Sequence, residues 1–404
     1  MIVKMDTKEL VRDILERGVE IVIPSRQEMK ERLESGEKLK VYFGIDPTAT
    51  RIHLGHAFPL RKLQKLAELG HKVTFLIGDF TAKIGDTSDK EGERPVLSDE
   101  QIKENFAEYK KQAEKVLDFA KVEVKYNSEW LAKLGLGEVL ELAGYFSVND
   151  FISRELIRKR LSEGKRVSLP ETLYPLMQGY DSYYLGTDIQ LGGTDQTFNM
   201  QAGRALIRKM NDKESFILAN GFLPGTDGRK MSKTWDNAIW LDDTPEEIYG
   251  KVMSIADEVM RGYWIYGTEL PLDGVEEKMG RVESGENPMV VKKELAAKIV
   301  GELWGEEAIG RAEEDFEEKV VSKVGGENVP VITFKASSLP TASLPAKMVE
   351  WGVAGSNSEA RRLIQQGGTY VNGERIDPDA EVVEFPNDEN LFRVGPKTYV
   401  KLRK

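Results

Sequence analysis

The chain has 404 residues, with 57 Lys and Arg against 68 Asp and Glu, a formal net charge of −11, three histidines and no cysteine. That length predicts two or three domains; the absence of thiols excludes disulfides, thiolate nucleophiles and cysteine zinc sites, and three histidines leave little for a histidine metal centre. The acidic balance argues against indiscriminate nucleic-acid binding without excluding a local basic surface, and a charged N-terminus with no apolar run near the roughly 18 residues of a membrane span predicts a soluble, cytosolic protein.

In chain order, residues 39–43 read as an apolar strand, followed by the turn-rich Gly44-Ile45-Asp46-Pro47-Thr48 and the tetrapeptide His53-Leu54-Gly55-His56. A helical pattern follows, with Leu60, Leu63, Leu66 and Ala67 on one side, closing at Gly70 before a second strand over 73–77 that ends in Gly78-Asp79. Strand, helix, strand in this order builds a doubly wound parallel, Rossmann-like α/β sheet, whose ligands sit outside the carboxyl ends of the strands, near His53, Asp79 and Asp86. Residues 98–119 have helical spacing with a Ser98/Gln101 capping box, and a helix-rich insertion is expected over 128–165.

Next, Tyr174, Gln178 and Asp181 stand at i, i+4 and i+7, so a helix there puts three polar groups on one face among apolar neighbours. That face either lines a pocket or faces water; Gly192-Gly193 leading into Asp195-Gln196 favours the pocket, because a bare backbone can approach a ligand while an acid and an amide orient it. The turn 224–228 precedes Lys230-Met231-Ser232-Lys233-Thr234. Beyond Trp240, residues 243–320 read as helices, with Thr244 as a cap, Pro245 at the first position and 313–318 as a solvated acidic face. Residues 336–345 read as a Ser/Pro linker. A final module has Ser356 and Glu359 as a capping box, a helix with Arg361-Arg362 ending at Gly367-Gly368, and a hairpin turn at Asn372-Gly373. The resulting division is 1–240 catalytic, 241–335 helical, 336–343 linker and 344–404 a small C-terminal domain.

Two histidines at the start of a helix meet its free N–H groups and positive dipole end, a setting for anions. Gly55 lets a purine or ribose reach the backbone, and His53 and His56 can donate to phosphate oxygens. Lys230 and Lys233 on a turn can bring two ammonium charges to a leaving pyrophosphate. Either motif alone is as readily two chance histidines or a solvated basic turn; in order, they point to chemistry on a nucleoside triphosphate.

These motifs resemble those of the bacterial tyrosyl-tRNA synthetases, class I aminoacyl-tRNA synthetases, in the subgroup whose second signature reads KMSK. The resemblance runs from about residue 41 to the C-terminus and is carried by Tyr42 to Thr48, HLGH, Tyr174 to Asp181, Leu191 to Gln196 and KMSK. The last sixty or so residues resemble the RNA-binding domain of a ribosomal small-subunit protein. The resemblance implies that Tyr42 and Asp181 hold a substrate phenol, that Tyr174, Gln178 and Gln196 hold its α-ammonium end with Asp86 nearby, and that Gln190 orients the carboxylate. It assigns Asp46, Thr48, His53, Gly55, His56, Gly192, Asp195 and the loop Lys230, Met231, Ser232 and Lys233 to ATP. Lys90 and Arg94 match residues that close over pyrophosphate, although Asp86-Thr87-Ser88-Asp89 departs from the family's usual Asp-Pro-Ser-Gly.

It also implies a two-step ligase that takes L-tyrosine, ATP with Mg2+, and tRNA(Tyr), works as a homodimer and has no DNA or membrane partner. Arg361, Arg362, Arg208 and Lys209, with Arg154, Arg158, Lys159 and Arg160, are candidates for RNA contacts. A tryptophanyl-tRNA synthetase is the nearest rival; an indole N–H needs one acceptor and no donor, which suits the Tyr42 and Asp181 pair less well than a phenol. An inactive RNA-binding scaffold predicts damaged signatures, and a small-molecule nucleotidylyltransferase predicts neither a helical domain nor the C-terminal module.

Overall fold

The structure, a computed structural model, describes residues 6–86, 97–231, 235–324, 330–372, 374–395 and 398–404. It divides into two compact units, Met1–Ala312 and Glu313–Lys404. Among the described residues no helix is long and apolar enough to cross a membrane.

The first unit opens with α1 (Thr7–Glu16), β1 (Val19–Ile23) and α2 (Arg26–Glu34). The expected strand-helix-strand unit follows as β2 (Lys40–Ile45), α3 (Leu54–Glu68) and β3 (Lys72–Ile77). Gly70, at φ 85°, ends α3 in the left-handed region that favours glycine. Helix α4 (Asp99–Ala113) has the Ser98/Gln101 capping box but stops short of residue 119, where the Asp118 carboxylate accepts the Ala120 N–H at 3.0 Å and makes a local turn instead. Strand β4 (Glu123–Tyr126) leads into the helical insertion, α5 (Ser128–Leu131), α6 (Leu136–Ala143), α7 (Val148–Ile152) and α8 (Glu155–Ser162). Then come α9 (Leu169–Tyr184), β5 (Ile189–Gly193), α10 (Thr197–Asn211) and β6 (Phe216–Asn220).

The six strands order as β1-β6-β5-β2-β3-β4. All neighbours are parallel, as the strand-helix-strand unit predicts, except β1, which adds an antiparallel edge beside β6. From β2 the chain winds outward through β3 and β4 and then returns through β5 to β6, so the strand order reverses between β2 and β5. At such a switch point the loops leave to opposite faces and open a crevice.

Helices α11 (Pro245–Met253), α12 (Met260–Gly267), α13 (Leu272–Glu283) and α14 (Pro288–Trp304) follow, with Thr244 and Glu247 forming a capping box at α11. They are fastened to the sheet side rather than set apart at residue 240. The buried Arg61 of α3 donates to Gly267 O at 2.8 Å, and Arg17 donates to the carbonyls of Ile265, Thr268 and Leu270. Helix α15 (Glu307–Val324) carries the acidic run, in which Glu314, Glu317 and Glu318 are exposed and Phe316 is half-buried.

In the second unit, β7 (Val331–Thr333) and β8 (Ser338–Pro340) precede α16 (Leu344–Glu350) and α17 (Asn357–Gln365), followed by β9 (Thr369–Val371), β10 (Glu374–Arg375), β11 (Val382–Glu384), β12 (Glu389–Val394) and β13 (Thr398–Arg403). Five of these strands order as β10-β9-β12-β13-β7, while β8 pairs with β11. The linker reading of 336–343 is therefore corrected: Leu339 pairs with Val383 and is buried in one core with Phe334, Trp351, Phe385 and Phe392. Its Ser and Pro residues sit on the edge of a two-stranded ribbon, where a proline costs no ladder bond. Ser356 accepts the Glu359 N–H as expected, but the Glu359 carboxylate takes the Gly355 N–H. Asn372, at φ 51°, turns β9 into β10; its neighbour Gly373 lies outside the described residues.

Candidate active site

A cleft of about 740 Å³ opens at the carboxyl ends of β2, β3, β5 and β6. It gathers Tyr42, Asp46, Thr48, His53, Gly55, His56, Asp86, Tyr174, Gln178, Asp181, Gly192, Asp195, Gln196, Lys230 and Met231. Residues more than a hundred positions apart meet there because the strand ends are adjacent in the sheet.

At the closed end, Tyr42 projects from β2 and Asp181 from α9, both buried. The Asp181 carboxylate accepts the indole N–H of Trp130 at 2.7 Å and the Asn127 amide at 3.2 Å. Burial, helped by Asp46 and Asp79, nevertheless pushes its pKa up to about 8, because two donors do not replace the water the carboxylate has lost. The Tyr42 hydroxyl lies 2.8 Å from Ser182 Oγ, and burial holds it firmly protonated.

Toward the middle, Tyr174 donates to Asp46 Oδ2 at 2.9 Å and Thr81 to Asp46 Oδ1 at 2.7 Å. Asn127 donates to Thr81 Oγ1 at 3.0 Å, so one chain of bonds links Asp46 to Asp181. Across the cleft, Asn199 donates to both Gln178 Oε1 (2.9 Å) and Gln196 Oε1 (3.0 Å), and Gln196 donates to Asp86 Oδ2 at 2.7 Å. Carboxylates oriented on both walls favour a cation between them.

At the open end, His53 occupies the cap position of α3, and the segment after the lysine loop clamps it there. Leu54 N–H donates to Ile239 O at 2.8 Å and Leu241 N–H to Ile52 O at 3.0 Å, in an antiparallel bridge of His53 with Trp240. The His56 Nδ1 accepts the His53 backbone N–H at 3.3 Å, and the two rings stack at 3.8 Å. A Cβ on residue 55 would stand 3.0 Å from His53 Nδ1, so glycine is what allows the ring to fold back. Burial, then His56 and Lys230, hold the His53 pKa well below the ordinary imidazole range, leaving a neutral hydrogen-bonding ring. The lysine loop is anchored by Asn237, which donates to Asp227 Oδ1 (2.8 Å) and to Lys230 O (3.2 Å).

The family description for class I tRNA synthetases (W and Y) matches residues 34–320, and that of the S4 domain matches 346–389. The chain is 39% identical over 400 residues to a tyrosine-tRNA ligase of Thermotoga maritima, covering 98% of each. The chain belongs to the tyrosine-tRNA ligase family of class I tRNA synthetases.

Among solved structures, a tyrosyl-tRNA synthetase of Archaeoglobus fulgidus complexed with L-tyrosine is 26% identical, with a TM-score of 0.59 over 77% of this chain and 100% of that one. A tryptophanyl-tRNA synthetase of Plasmodium falciparum shares the fold (TM-score 0.57, 18% identity, 78% and 90% covered), so the fold alone does not separate the two amino acids. In this tyrosine-tRNA ligase family member the sequence relatives do.

Several expected site residues need correction. Gln190 is fully buried and does not line the cleft; its amide oxygen accepts Ser182 Oγ–H at 2.8 Å and its NH2 donates to Met200 O at 3.0 Å, both away from a substrate carboxylate. Asp79 caps α5, accepting Ser128 N–H (2.9 Å) and Oγ–H (2.6 Å), rather than facing ligand. Arg160 is buried against Glu171 at 2.6 Å and unavailable to RNA. Arg208 and Lys209 are exposed on α10, where Arg208 pairs with Glu214 at 3.2 Å and Lys209 lies over Tyr145; Arg361 and Arg362 are exposed on α17. Lys90, Arg94, Ser232 and Lys233 lie outside the described residues, as does the altered loop beyond Asp86.

Sequence reasoning missed Asn127, Trp130, Thr81, Ser182 and Asn199. Asn127 follows the end of β4, and the strand-end rule that flagged Asp79 applies to it as well; nothing local marks the other four.

Proposed function

We propose that this cleft activates L-tyrosine with ATP and that the same chain then charges tRNA(Tyr). The observation that carries this reading is a closed end with a buried Asp181 beside Tyr42, joined through one cleft to the His53-His56 helix start. The phenol goes to Tyr42 and Asp181, and the α-ammonium goes to the walls bearing Tyr174, Gln178, Asp86 and Gln196. That orientation aims the substrate carboxylate toward His53, His56 and Lys230, where the α-phosphate of ATP is bound.

A carboxylate oxygen of tyrosine attacks the α-phosphorus, the bond to the bridging oxygen breaks, and pyrophosphate leaves with magnesium, which enters bound to ATP. The carboxylate is already ionised at neutral pH, so no base is needed. His53, held neutral, and His56 donate hydrogen bonds to the α-phosphate oxygens, and Lys230 and Lys233, with Lys90 and Arg94, neutralise the departing pyrophosphate. Asp46, Thr48, Gly55, Gly192 and Asp195 hold the nucleotide, with Met231 and Ser232 shaping the lysine loop. A terminal ribose hydroxyl of tRNA then attacks the mixed anhydride and AMP leaves.

The helices after residue 240 and the S4 domain serve tRNA, the latter through Arg361 and Arg362 meeting phosphates. The working form is a cytoplasmic homodimer. Pyrophosphate exchange into ATP, with tyrosine, phenylalanine and tryptophan supplied separately, tests the reading. Exchange with tyrosine alone is expected; exchange with tryptophan alone, or with none of the three using folded protein, overturns it.

A further inference from the structure

Residues 50–54, which carry His53, and residues 239–243, which follow the lysine loop, are far apart in sequence and meet at the open end of the cleft. The bonds from Leu54 N–H to Ile239 O and from Leu241 N–H to Ile52 O join them across the His53 and Trp240 bridge. A bridge of that length is marginal by itself. The buried Gln112 of α4 holds the other edge of the first segment, accepting the Ile52 N–H at 3.0 Å and donating to Thr50 O at 2.7 Å. Arg51 supplies a further tie between the two segments.

Its guanidinium works as a fork on two carboxylates. Nε donates to Asp242 Oδ1 at 2.8 Å, while Nη2 donates to the same oxygen at 2.6 Å and to Asp243 Oδ1 at 2.9 Å. The Arg51 and Asp242 side chains are each 40% exposed, so that pair alone contributes little. Asp243 differs, being only 4% exposed. Its Oδ2 accepts the Trp240 backbone N–H at 2.8 Å and the Lys251 ammonium of α11 at 2.6 Å. Asp243 therefore fastens the backbone of the residue that His53 pairs with. Arg51 also lies 4.8 Å from the centre of the Trp240 ring, which stands 6.0 Å from the His53 ring.

We propose that Arg51 and Asp243 are positioning residues for the activation step, a latch that sets His53 against the exit of the lysine loop so that histidines and lysines act on one triphosphate. Arg51 lines the cleft, but Nε and Nη2 are engaged by the two carboxylates. The latch acts through the backbone of His53 and Trp240, and a misplacement of about 1 Å at such a site costs on the order of 100-fold in rate. The depressed pKa of His53, to which Lys230 contributes, agrees with histidine and loop lysine being held near each other.

The inference rests on tyrosine activation with ATP, which exchange by the wild-type protein establishes first. Arg51→Met keeps an unbranched stem and removes the fork, Arg51→Lys keeps the charge as a single point, and Asp243→Asn keeps an acceptor for the Trp240 N–H while weakening its hold on both cations. Folding is checked by circular dichroism and thermal melting. Arg51→Met and Asp243→Asn are each expected to lower kcat of pyrophosphate exchange about tenfold or more with KM for tyrosine near wild type, and Arg51→Lys to recover part of the loss. The double variant Arg51→Met/Asp243→Asn is expected to lose no more than the worse single variant, because both remove the same latch. An unchanged kcat in Arg51→Met, or single losses that multiply in the double variant, overturns the proposal. A raised KM for ATP in Arg51→Met beside a near-wild-type Asp243→Asn means that Arg51 binds the nucleotide directly, and overturns it too. If Asp243→Asn does not fold, Asp242→Asn takes its place in the same comparison.

Discussion

Trp130 donates its indole N–H to Asp181 at 2.7 Å while Tyr184, three residues beyond Asp181 on the same helix, stacks on the indole at 4.5 Å. The carboxylate that would receive the phenol is thus aimed by a ring that is itself clamped by the next turn of α9. Trp130→Phe keeps the stack and removes the donor, a charge-assisted bond worth about 1.5–3 kcal/mol. We expect the Asp181 pKa to rise further and tyrosine over phenylalanine selectivity to fall about tenfold or more, as read by pyrophosphate exchange; unchanged selectivity would separate the indole N–H from specificity.

Asp181 also ties stability to pH. Its pKa is about 8 in the folded chain against an ordinary 3.8, so between those values the native state keeps a proton that the unfolded chain releases. Stability from this group is fully present below the lower value and is lost as pH rises toward the higher one, at no more than about 1.4 kcal/mol per pH unit. In urea denaturation of the ligand-free protein, Asp181→Asn should therefore gain on wild type as pH is raised from about 5 to about 8. A difference independent of pH would place the carboxyl's titration elsewhere.

Lys230 is the third contributor, after burial and His56, to the depressed His53 pKa. Removing it in Lys230→Ala relieves a like-charge repulsion, so His53 should titrate at higher pH than in wild type, visible in imidazole proton NMR of a chain with only three histidines. The same variant should slow adenylate formation with little change in tyrosine affinity. A stationary His53 resonance would mean that the loop does not bring the two together in solution.

Arg160 and Glu171 form a buried pair at 2.6 Å, with the Arg166 carbonyl as a further partner of the guanidinium. Arg160→Ala leaves the Glu171 carboxylate buried without its cation and should cost about 3–5 kcal/mol of unfolding free energy. The variant is expected to lose stability while aminoacylation, measured below its melting temperature, stays near wild type. A selective rise in the KM for tRNA on an unchanged melting curve would return Arg160 to the RNA surface.

Much of this was legible because it is local. The caps at Ser98 and Thr244, the stop at Gly70 and the placing of His53 at the start of a helix depend on residues within a turn of each other, where propensity and hydrogen bonding act without help from the rest of the chain. The face shared by Tyr174, Gln178 and Asp181 was likewise readable from helical spacing, as was the strand-helix-strand unit that carries the cleft. What was missed or misread involved partners distant in sequence. β1 gains its antiparallel place only by pairing with β6, and residues 338–340 become a strand only because β11 lies beside them.

The residue types and their order thus pointed to the proposed chemistry: a histidine pair for phosphate, lysines for pyrophosphate, an acid and a phenol for a phenol. Only the tertiary structure decided which polar atoms are still available. Gln190 looks in sequence like one more pocket residue, yet in the fold its amide is turned to Ser182 and to Met200 O, and of that group only Tyr42 lines the cleft. The physical reason is that a buried polar group must satisfy its bonds with whatever the packing brings near, and those neighbours come from elements that no local pattern can reach.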